Sequence, residues 1–180
     1  MLDSRLKLTL LRMDQIEGPW CLKINRAGQY VPVRKVFSTV SRLGNGIFWY
    51  AWMLALPLLF GKIGGTTSLQ MLAVGVVGHF FYKFVKSSTS RPRPYASLDE
   101  VSDWTPALDA FSFPSGHTLH AVSFTIVMVA AIPVLAWILI PFTMMVAISR
   151  VILGLHYPSD VVIGALAGTL IAVGCLALWQ

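Results

Sequence analysis

Three short polar motifs interrupt a mostly apolar chain, and each contains side chains that could bind or attack a phosphate. The first, KSSTSRPRP, places Lys86, Arg91 and Arg93 just beyond an apolar stretch, with prolines that keep the backbone extended. Arginine's planar fork binds phosphate oxygens in pairs, and lysine adds a point charge. A basic flank that merely anchors a helix among lipid headgroups would have the same composition, so this motif alone leaves both interpretations open.

The second motif, FPSGH, has the sequence of a helix N-terminus at the start of an apolar stretch. Ser115 is a common N-cap residue, and Pro114 before it suits the approach to a helix. The unpaired backbone N–H groups at such a start, near Gly116, bind phosphate well. His117 in the first turn could donate a proton to a leaving oxygen. A plain cap with a packing histidine is the simpler alternative.

The third motif, SRVILGLHYPSD, contains Arg150, His156 and Asp160. Arg150 interrupts an apolar run, at a cost of about 2.5–3.5 kcal/mol if it lay near the middle of a membrane. Asp160 follows His156 by four residues, although Pro158 prevents the assumption of one regular helix. A carboxylate bonded to one imidazole nitrogen would fix the tautomer and leave the other nitrogen free to attack. An Arg–Asp pair with a bystander histidine is the alternative.

The composition predicts an all-α, polytopic transmembrane helical bundle. Hydrophobic residues make up 56% of the 180 residues and charged residues only 12%, against about 25% charged in soluble domains. The net charge of +6 comes from residues beside apolar runs, which suits anionic lipid or a phosphate pocket and argues against nucleic acid as a partner. We expect five spans, with six as the alternative, at 46–61, 67–85, 116–132, 134–149 and 161–179.

Two details of this organisation are predictions of their own. Pro133 is expected to form a tight turn between the third and fourth spans, whereas a single kinked helix over 116–149 would exceed the bilayer. Residues 1–45 contain no span, but Leu6, Leu10, Met13, Ile16 and Trp20 recur at helical spacing. This predicts an N-terminal segment of interfacial amphipathic helices, interrupted at Gly18-Pro19, before a bundle over 46–180. Packing of the same stripe on the bundle is the alternative.

Five spans would bring all three motifs to one side of the membrane. The end of the second span, the start of the third, the end of the fourth and the start of the fifth must share that side, and the motifs occur at these four ends. The loop over 91–113 carries half of the acidic residues and should form a rim or lid. A phosphoryl group needs cations around its oxygens, a nucleophile in line and an acid opposite. The residues predicted to supply these are Lys86, Arg93, Arg150, Ser115, Gly116, His156 with Asp160, and His117.

These motifs resemble those of the type 2 phosphatidic acid phosphatase superfamily, which read Lys-x6-Arg-Pro, Pro-Ser-Gly-His and Ser-Arg-x5-His-x3-Asp. Every defining position matches, in Lys86 to Pro94, Pro114 to His117 and Ser149 to Asp160. The stretch SRLGNG over 41–46 is also similar to one in small bacterial members. The resemblance covers about residues 38–170.

The resemblance implies hydrolysis of a lipid phosphate through a phosphohistidine, without a metal or other cofactor. His156 would attack with help from Asp160, and His117 would protonate the leaving group and then activate water. Arg91 would contact the lipid headgroup. The bound phosphate would contact Lys86, Arg93, Ser115, Gly116, His117 and Arg150. The expected protein is a bacterial inner-membrane phosphatase embedded in the bilayer, acting on undecaprenyl diphosphate, phosphatidylglycerophosphate or phosphatidate.

The side of the membrane and three rival functions stay open at this point. Thirteen of the fourteen Lys and Arg residues share the motif side, leaving only Lys62 opposite, which by the positive-inside rule favours the cytoplasm. The resemblance implies an outward-facing site, and we expect that face because five of these cations belong to the motifs or their flank. The rivals are a lipid-to-lipid phosphotransferase, a non-enzymatic lipid-binding or transport protein, and a metal site of His117, His156 and Asp160.

Overall fold

The structure, a computed structural model, describes the backbone of residues 4–179 and the side chains of residues 12–179. Within these residues the chain forms helices and no β-strand, which confirms the predicted all-α class. The α-helices are α1 (Ser4–Asn25), α2 (Val31–Gly44), α3 (Ile47–Thr89), α4 (Pro94–Ser97), α5 (Gly116–Ala131), α6 (Ala136–Ile152) and α7 (Pro158–Leu178).

Helix α3 contains both of the first two apolar stretches and reverses direction at Gly61. The backbone there has φ 57° and ψ −130°, a combination that glycine adopts readily. The hydroxyl of Ser68 donates to the carbonyl of Met53 at 2.8 Å, although fifteen residues of straight helix would separate them by about 22 Å. The parts of α3 before and after Gly61 can pack this closely because Gly64 has no side chain. A Cβ there would lie 1.9 Å from the carbonyl oxygen of Leu56. Helix α3 is therefore a helical hairpin.

The outward faces of the helices are apolar. Three helical segments are long and apolar enough to cross a membrane: α3, residues 133–152 and α7; α5 is apolar but shorter. An apolar surface this extensive is rare on soluble monomers, and these faces suit contact with lipid in a multi-pass membrane protein. Among the most exposed large side chains are Leu54, Leu58, Phe84, Trp137, Leu170 and Leu178, which are 72–90% exposed.

Helix α5 lies at the centre of the bundle and packs against α3, α6 and α7. Two glycines of α7, one turn apart, allow its backbone to approach α5 closely. A Cβ on Gly164 would lie 2.6 Å from the carbonyl oxygen of Ser115, and one on Gly168 would lie 2.4 Å from that of Leu119. Small residues at this spacing permit tight helix contact in membranes. The packing holds the N-terminus of α5 against that of α7.

The predicted turn at Pro133 is confirmed. Helix α5 ends at Ala131, a 3-10 turn covers Pro133–Leu135, and α6 begins at Ala136. The two helices then pack on each other, with a hydrogen bond of 2.6 Å between the hydroxyls of Thr125 and Thr143. The single kinked helix is thereby excluded.

The N-terminal segment differs from the prediction in one respect. Helix α1 continues through Gly18 and Pro19, so the predicted interruption is wrong. A proline removes one backbone hydrogen bond, and here the surrounding turn is held by packing, with Cys21 1% exposed. Ile16 and Trp20 are 69% and 61% exposed, so this part of the stripe does not pack on the bundle. The interfacial position of α1 stays a prediction, and the side chains of Leu6 and Leu10 lie outside the described residues.

Candidate active site

The three motifs meet at one end of the bundle. The Nη1 atom of Arg93, beyond the end of α3, lies 3.3 Å from Nε2 of His156 and donates to the carbonyl of Leu155 at 2.7 Å. At the start of α5, the N–H of Ser115 donates to the carbonyl of Asp160 at 3.0 Å. The four helix ends are therefore adjacent, in the arrangement that the order of the spans predicts.

An anion already lies between two of the predicted phosphate ligands. The Asp109 carboxylate, from the loop before α5, accepts hydrogen bonds from Nζ of Lys86 at 2.8 Å and from Nη2 of Arg93 at 2.7 Å. Burial by itself would raise the pKa of Asp109, but the hydrogen bonds and charges of Lys86 and Arg93 outweigh burial and lower it. The side chain is 39% exposed, against 9% and 2% for its two partners. The two cations therefore form an anion site that opens toward solvent.

Arg150 is a buried cation without a carboxylate partner among the described residues. Its side chain bonds the hydroxyl of Ser41 through Nη1, whereas its Nε has no partner within this part of the chain. Its backbone carbonyl accepts the N–H groups of Leu155 and His156. This turn at the end of α6 brings the backbone of His156 next to that of Arg150. A buried charge without a counterion is costly, so this position favours an anionic ligand.

The contact with Arg93 indicates which nitrogen of His156 carries the lone pair. A guanidinium can only donate, so Nε2 of His156 must accept and the ring proton belongs on Nδ1. Burial, and then the charges of Arg150 and Arg93, lower the pKa of His156 well below its usual range. The imidazole is therefore neutral at neutral pH, and its Nε2 lone pair points among the cations. This is the arrangement that a nucleophile requires.

Asp160 faces the other nitrogen of this ring. Its Oδ2 atom lies 3.6 Å from Nδ1 of His156, which is beyond hydrogen-bond distance, and Nδ1 has no partner among the described residues. The predicted hydrogen bond is thus absent in this state, because Oδ2 instead accepts the N–H of Tyr157 at 2.9 Å. Catalytic hydrogen bonds often shorten only when a ligand binds.

The start of α5 has the features of an anion-binding helix terminus. Ser115 is the N-cap, and its hydroxyl accepts the N–H of Thr118 at 3.4 Å. Gly116 follows with its backbone close to the ring of Tyr82, where a Cβ would lie 3.3 Å away. The ring of His117 is partly exposed and bonds the side-chain oxygen of Asn45 through Nε2.

Arg91 bonds to acceptors within the protein. Its side chain is fully buried, and its N–H groups donate to Asp14, Ser159 and Asp160. A guanidinium in this position is shielded by protein groups on its described sides, and the predicted headgroup contact stays a prediction. The physical reason for the shielding is long-range, since all three of these partners are contributed by α1 and α7.

Several residues at the site were missed by sequence reasoning. Asp109 is one of four acids in its loop, and nothing in the sequence distinguishes it from the others. Ser41 and Asn45 belong to the stretch over 41–46, whose family-like sequence was the available signal. Through these two residues the segment over 1–45 contacts Arg150 and His117. Residues on both sides of the predicted boundary at residue 45 therefore line the site.

The geometry offers little to a metal ion. Among the described residues, no group of three or more His, Cys, Asp and Glu side chains is arranged to hold one. The proposed metal triad of His117, His156 and Asp160 is accordingly not assembled, and Arg91 already occupies the second oxygen of Asp160.

Similar proteins were found by sequence and by structure. The chain is 28% identical over 177 residues to the glucose-6-phosphatase catalytic subunit 1 of Haplochromis nubilus, covering 82% of this chain but only 49% of that protein. It is 29% identical to an undecaprenyl-diphosphatase of Sulfolobus acidocaldarius, covering 83% of this chain and 72% of that one. The chain therefore spans about half the length of the first relative and most of the second.

A solved structure has the same fold. The crystal structure of Aquifex aeolicus LpxE superposes with a TM-score of 0.73 at 22% identity, covering 90% of this chain and 95% of that chain. The sequence model of the PAP2 superfamily matches residues 65–180, which include all three motifs. The chain is a member of the PAP2 superfamily.

Proposed function

We propose that this chain is an integral membrane phosphatase that hydrolyses a lipid phosphate or diphosphate through a phosphohistidine. The observation that carries the proposal is the position of Nε2 of His156, which lies 3.3 Å from Arg93 and within the same anion site as Lys86. The two relatives found by sequence, a glucose-6-phosphatase catalytic subunit and an undecaprenyl-diphosphatase, are phosphatases by their names, which supports the proposal.

In the first step, the substrate phosphoryl group takes the place of the Asp109 carboxylate. Lys86, Arg93 and Arg150 neutralise the phosphoryl oxygens, and the N–H groups at the start of α5 hold one of them. The Nε2 lone pair of His156 forms a bond to phosphorus as the bond to the leaving oxygen breaks. The Nδ1 proton of the resulting imidazolium is then stabilised by Asp160, which faces it at 3.6 Å.

His117 carries the proton in both steps. It protonates the leaving alkoxide or phosphate, which departs as the free alcohol or lipid monophosphate. The neutral imidazole then takes a proton from water, whose oxygen attacks phosphorus as the P–Nε2 bond breaks. Inorganic phosphate leaves, and both histidines return to their starting states. Asn45, which contacts Nε2 of His117, holds the ring at the mouth of the site.

A substrate held in the membrane fits the surroundings of this site. The motif end of the bundle lies next to apolar, lipid-facing helix surfaces such as Phe84 of α3, which is 72% exposed. A lipid could therefore present its phosphate without leaving the bilayer. Undecaprenyl diphosphate is the first candidate because one relative carries that name, with phosphatidylglycerophosphate and phosphatidate next. We further propose that the protein resides in a bacterial inner membrane with the site facing outward.

A panel of lipids tests the proposal. The purified protein in detergent would receive undecaprenyl diphosphate, phosphatidylglycerophosphate, phosphatidate or a lipid A phosphate, one at a time, and release of inorganic phosphate would be measured. His156→Ala serves as the blank. We expect release from at least one lipid, and none above background from the variant. Equal release by both proteins would contradict the proposal.

The same assay separates the rival functions. A phosphotransferase would release phosphate only when a second lipid acceptor is absent or poor, and would label that acceptor when it is present. A lipid-binding or transport protein would bind headgroups with His156→Ala as tightly as the wild type and release no phosphate. A metal-dependent enzyme would lose activity in EDTA, whereas we expect activity to survive the chelator.

A further inference from the structure

The N–H groups of Arg91 make four hydrogen bonds, all to protein acceptors outside the anion site. Nε and Nη2 donate to Oδ1 of Asp14 at 2.9 and 2.6 Å, and Nη1 donates to Oδ1 of Asp160 at 2.6 Å and to the hydroxyl of Ser159 at 2.8 Å. The planar group also stacks on the ring of Tyr157, with its Cζ 4.1 Å from the ring centroid. All three guanidinium nitrogens of Arg91 therefore have partners inside the protein.

These contacts fix the orientation of the carboxylate that faces the proposed nucleophile. Asp160 gives Oδ1 to Arg91 and Oδ2 to the N–H of Tyr157. With both oxygens held, the plane of the carboxylate is set, and Oδ2 is the atom directed at Nδ1 of His156. Both Arg91 and Asp160 are fully buried, so water cannot replace either contact.

Helix α1 completes this arrangement from the other side. Asp14 and Glu17 lie one turn apart on α1, and Glu17 is 3.5 Å from Nη2 of Arg91. The second oxygen of Glu17 accepts the N–H of Ser159, at the start of α7, at 2.8 Å. Two α1 carboxylates thus hold Arg91 and the first turn of α7 together. Three carboxylates around one guanidinium are more than stability requires, since a buried excess of negative charge is itself costly.

We propose that Arg91 and Asp14 are positioning residues that act through Asp160 to orient His156, which makes α1 part of the catalytic apparatus. The inference rests on the proposed phosphatase function. It assigns the two arginines of one motif to different tasks: Arg93 contacts the phosphoryl group, and Arg91 holds the carboxylate behind the imidazole.

The test is a double-mutant cycle in the full chain. Arg91→Lys keeps the charge but cannot bridge Asp14 and Asp160 with the same planar geometry, and Asp14→Asn keeps the shape of its side chain. We expect each to lower kcat by about tenfold to a hundredfold, as for other residues that orient a catalytic ligand, with KM within about threefold of the wild type. Arg12→Gln is the matched control. It changes an exposed residue of α1, the helix that contains Asp14, and should behave as wild type.

The decisive readout is the Asp160→Asn background. If Arg91 acts through Asp160, the double variant Arg91→Lys/Asp160→Asn will be about as slow as Asp160→Asn alone. Multiplied losses would mean that Arg91 acts independently, as would a raised KM with unchanged kcat, and either result overturns the inference. Wild-type kcat in Asp14→Asn would also overturn it. Absence of phosphate release from wild-type protein would instead count against the proposed function itself, and a thermal unfolding scan identifies any variant that fails to fold.

Discussion

Arg91 and Arg93 are separated by one proline, yet the fold gives their guanidinium groups opposite surroundings. The partner of Arg93 is the Asp109 carboxylate, on a loop and 39% exposed. The partners of Arg91 are carboxylates on helices, with side chains 0–17% exposed. A carboxylate on an exposed loop can be displaced by a phosphate, whereas carboxylates fixed on packed helices cannot. A cation available to a phosphate can therefore be recognised by an internal partner that an incoming anion could replace.

The largest loss of activity is expected on substitution of His156, which lies between Arg93 and the carboxylate held by Arg91. Arg93 contacts one ring nitrogen, and Asp160, held by Arg91, faces the other. Loss of the nucleophile in His156→Ala should lower the rate of phosphate release by about four orders of magnitude or more. Initial rates with the best lipid of the panel provide the measurement.

A second histidine serves as the control for that experiment. His79 is an exposed residue of α3, and His79→Ala should keep a rate close to that of the wild type. If His156→Ala retained a tenth of wild-type activity, the imidazole would not be the nucleophile.

Because the two arginines have different partners, we expect substitution of Arg93 to weaken phosphate binding and substitution of Arg91 to leave it unchanged. Arg93→Ala removes a direct ligand of the phosphoryl group and should lower kcat/KM by about a hundredfold to a thousandfold, with a matching rise in the inhibition constant for orthovanadate. Arg91→Lys should leave the orthovanadate constant unchanged. If both variants weakened orthovanadate binding equally, the two arginines would have the same role and the predicted difference between them would be wrong.

A smaller effect is expected at Asp109, because its carboxylate competes with phosphate for Lys86 and Arg93. Asp109→Asn keeps the shape of the side chain and removes its charge. The inhibition constant for inorganic phosphate should fall by about threefold to tenfold, as the fraction of protein with an open anion site rises. Asp103→Asn, at an exposed position of the same loop, should leave the constant unchanged. Weaker phosphate inhibition in Asp109→Asn would mean that the carboxylate helps to build the site.

The smallest effect concerns pH and tests which neighbours dominate the imidazole. Burial and the nearby cations lower the pKa of His156 well below its usual range, so the ring stays unprotonated as the pH falls through 6.5. Protonation of His156 should therefore cause no fall in kcat/KM through this range, once the rate is corrected for the separately titrated phosphate of the substrate and for the proton that His117 must carry. A fall in corrected kcat/KM centred near pH 6.5 would indicate that the carboxylate side outweighs the cations.

Much of the site was predictable because its chemistry resides in short motifs at helix ends. The alternation of apolar stretches fixes which ends share a side, so Lys86, Ser115, Arg150 and His156 could be grouped without coordinates. The turn at Pro133 was equally predictable, since a single helix over 116–149 would exceed the thickness of the bilayer.

Other features depend on contacts that are remote in sequence. The continuity of α1 through Pro19 follows from packing against the bundle, which a local reading cannot include. The burial of Arg91 requires Asp14, which is 77 residues away along the chain. Asp109 became distinguishable from the other loop acids only once the loop was folded over Lys86.

The amino-acid sequence is sufficient to predict the membrane bundle, the meeting of its three motifs at one end and the residue types available to a phosphate. Hydrophobic length and helix polarity are local properties, and they decide these matters. The tertiary structure shows which cation bonds the exposed loop carboxylate of Asp109 and which one holds the buried carboxylate of Asp160. Two arginines in one motif are chemically identical, and only the carboxylates that the fold brings to each of them make their roles different.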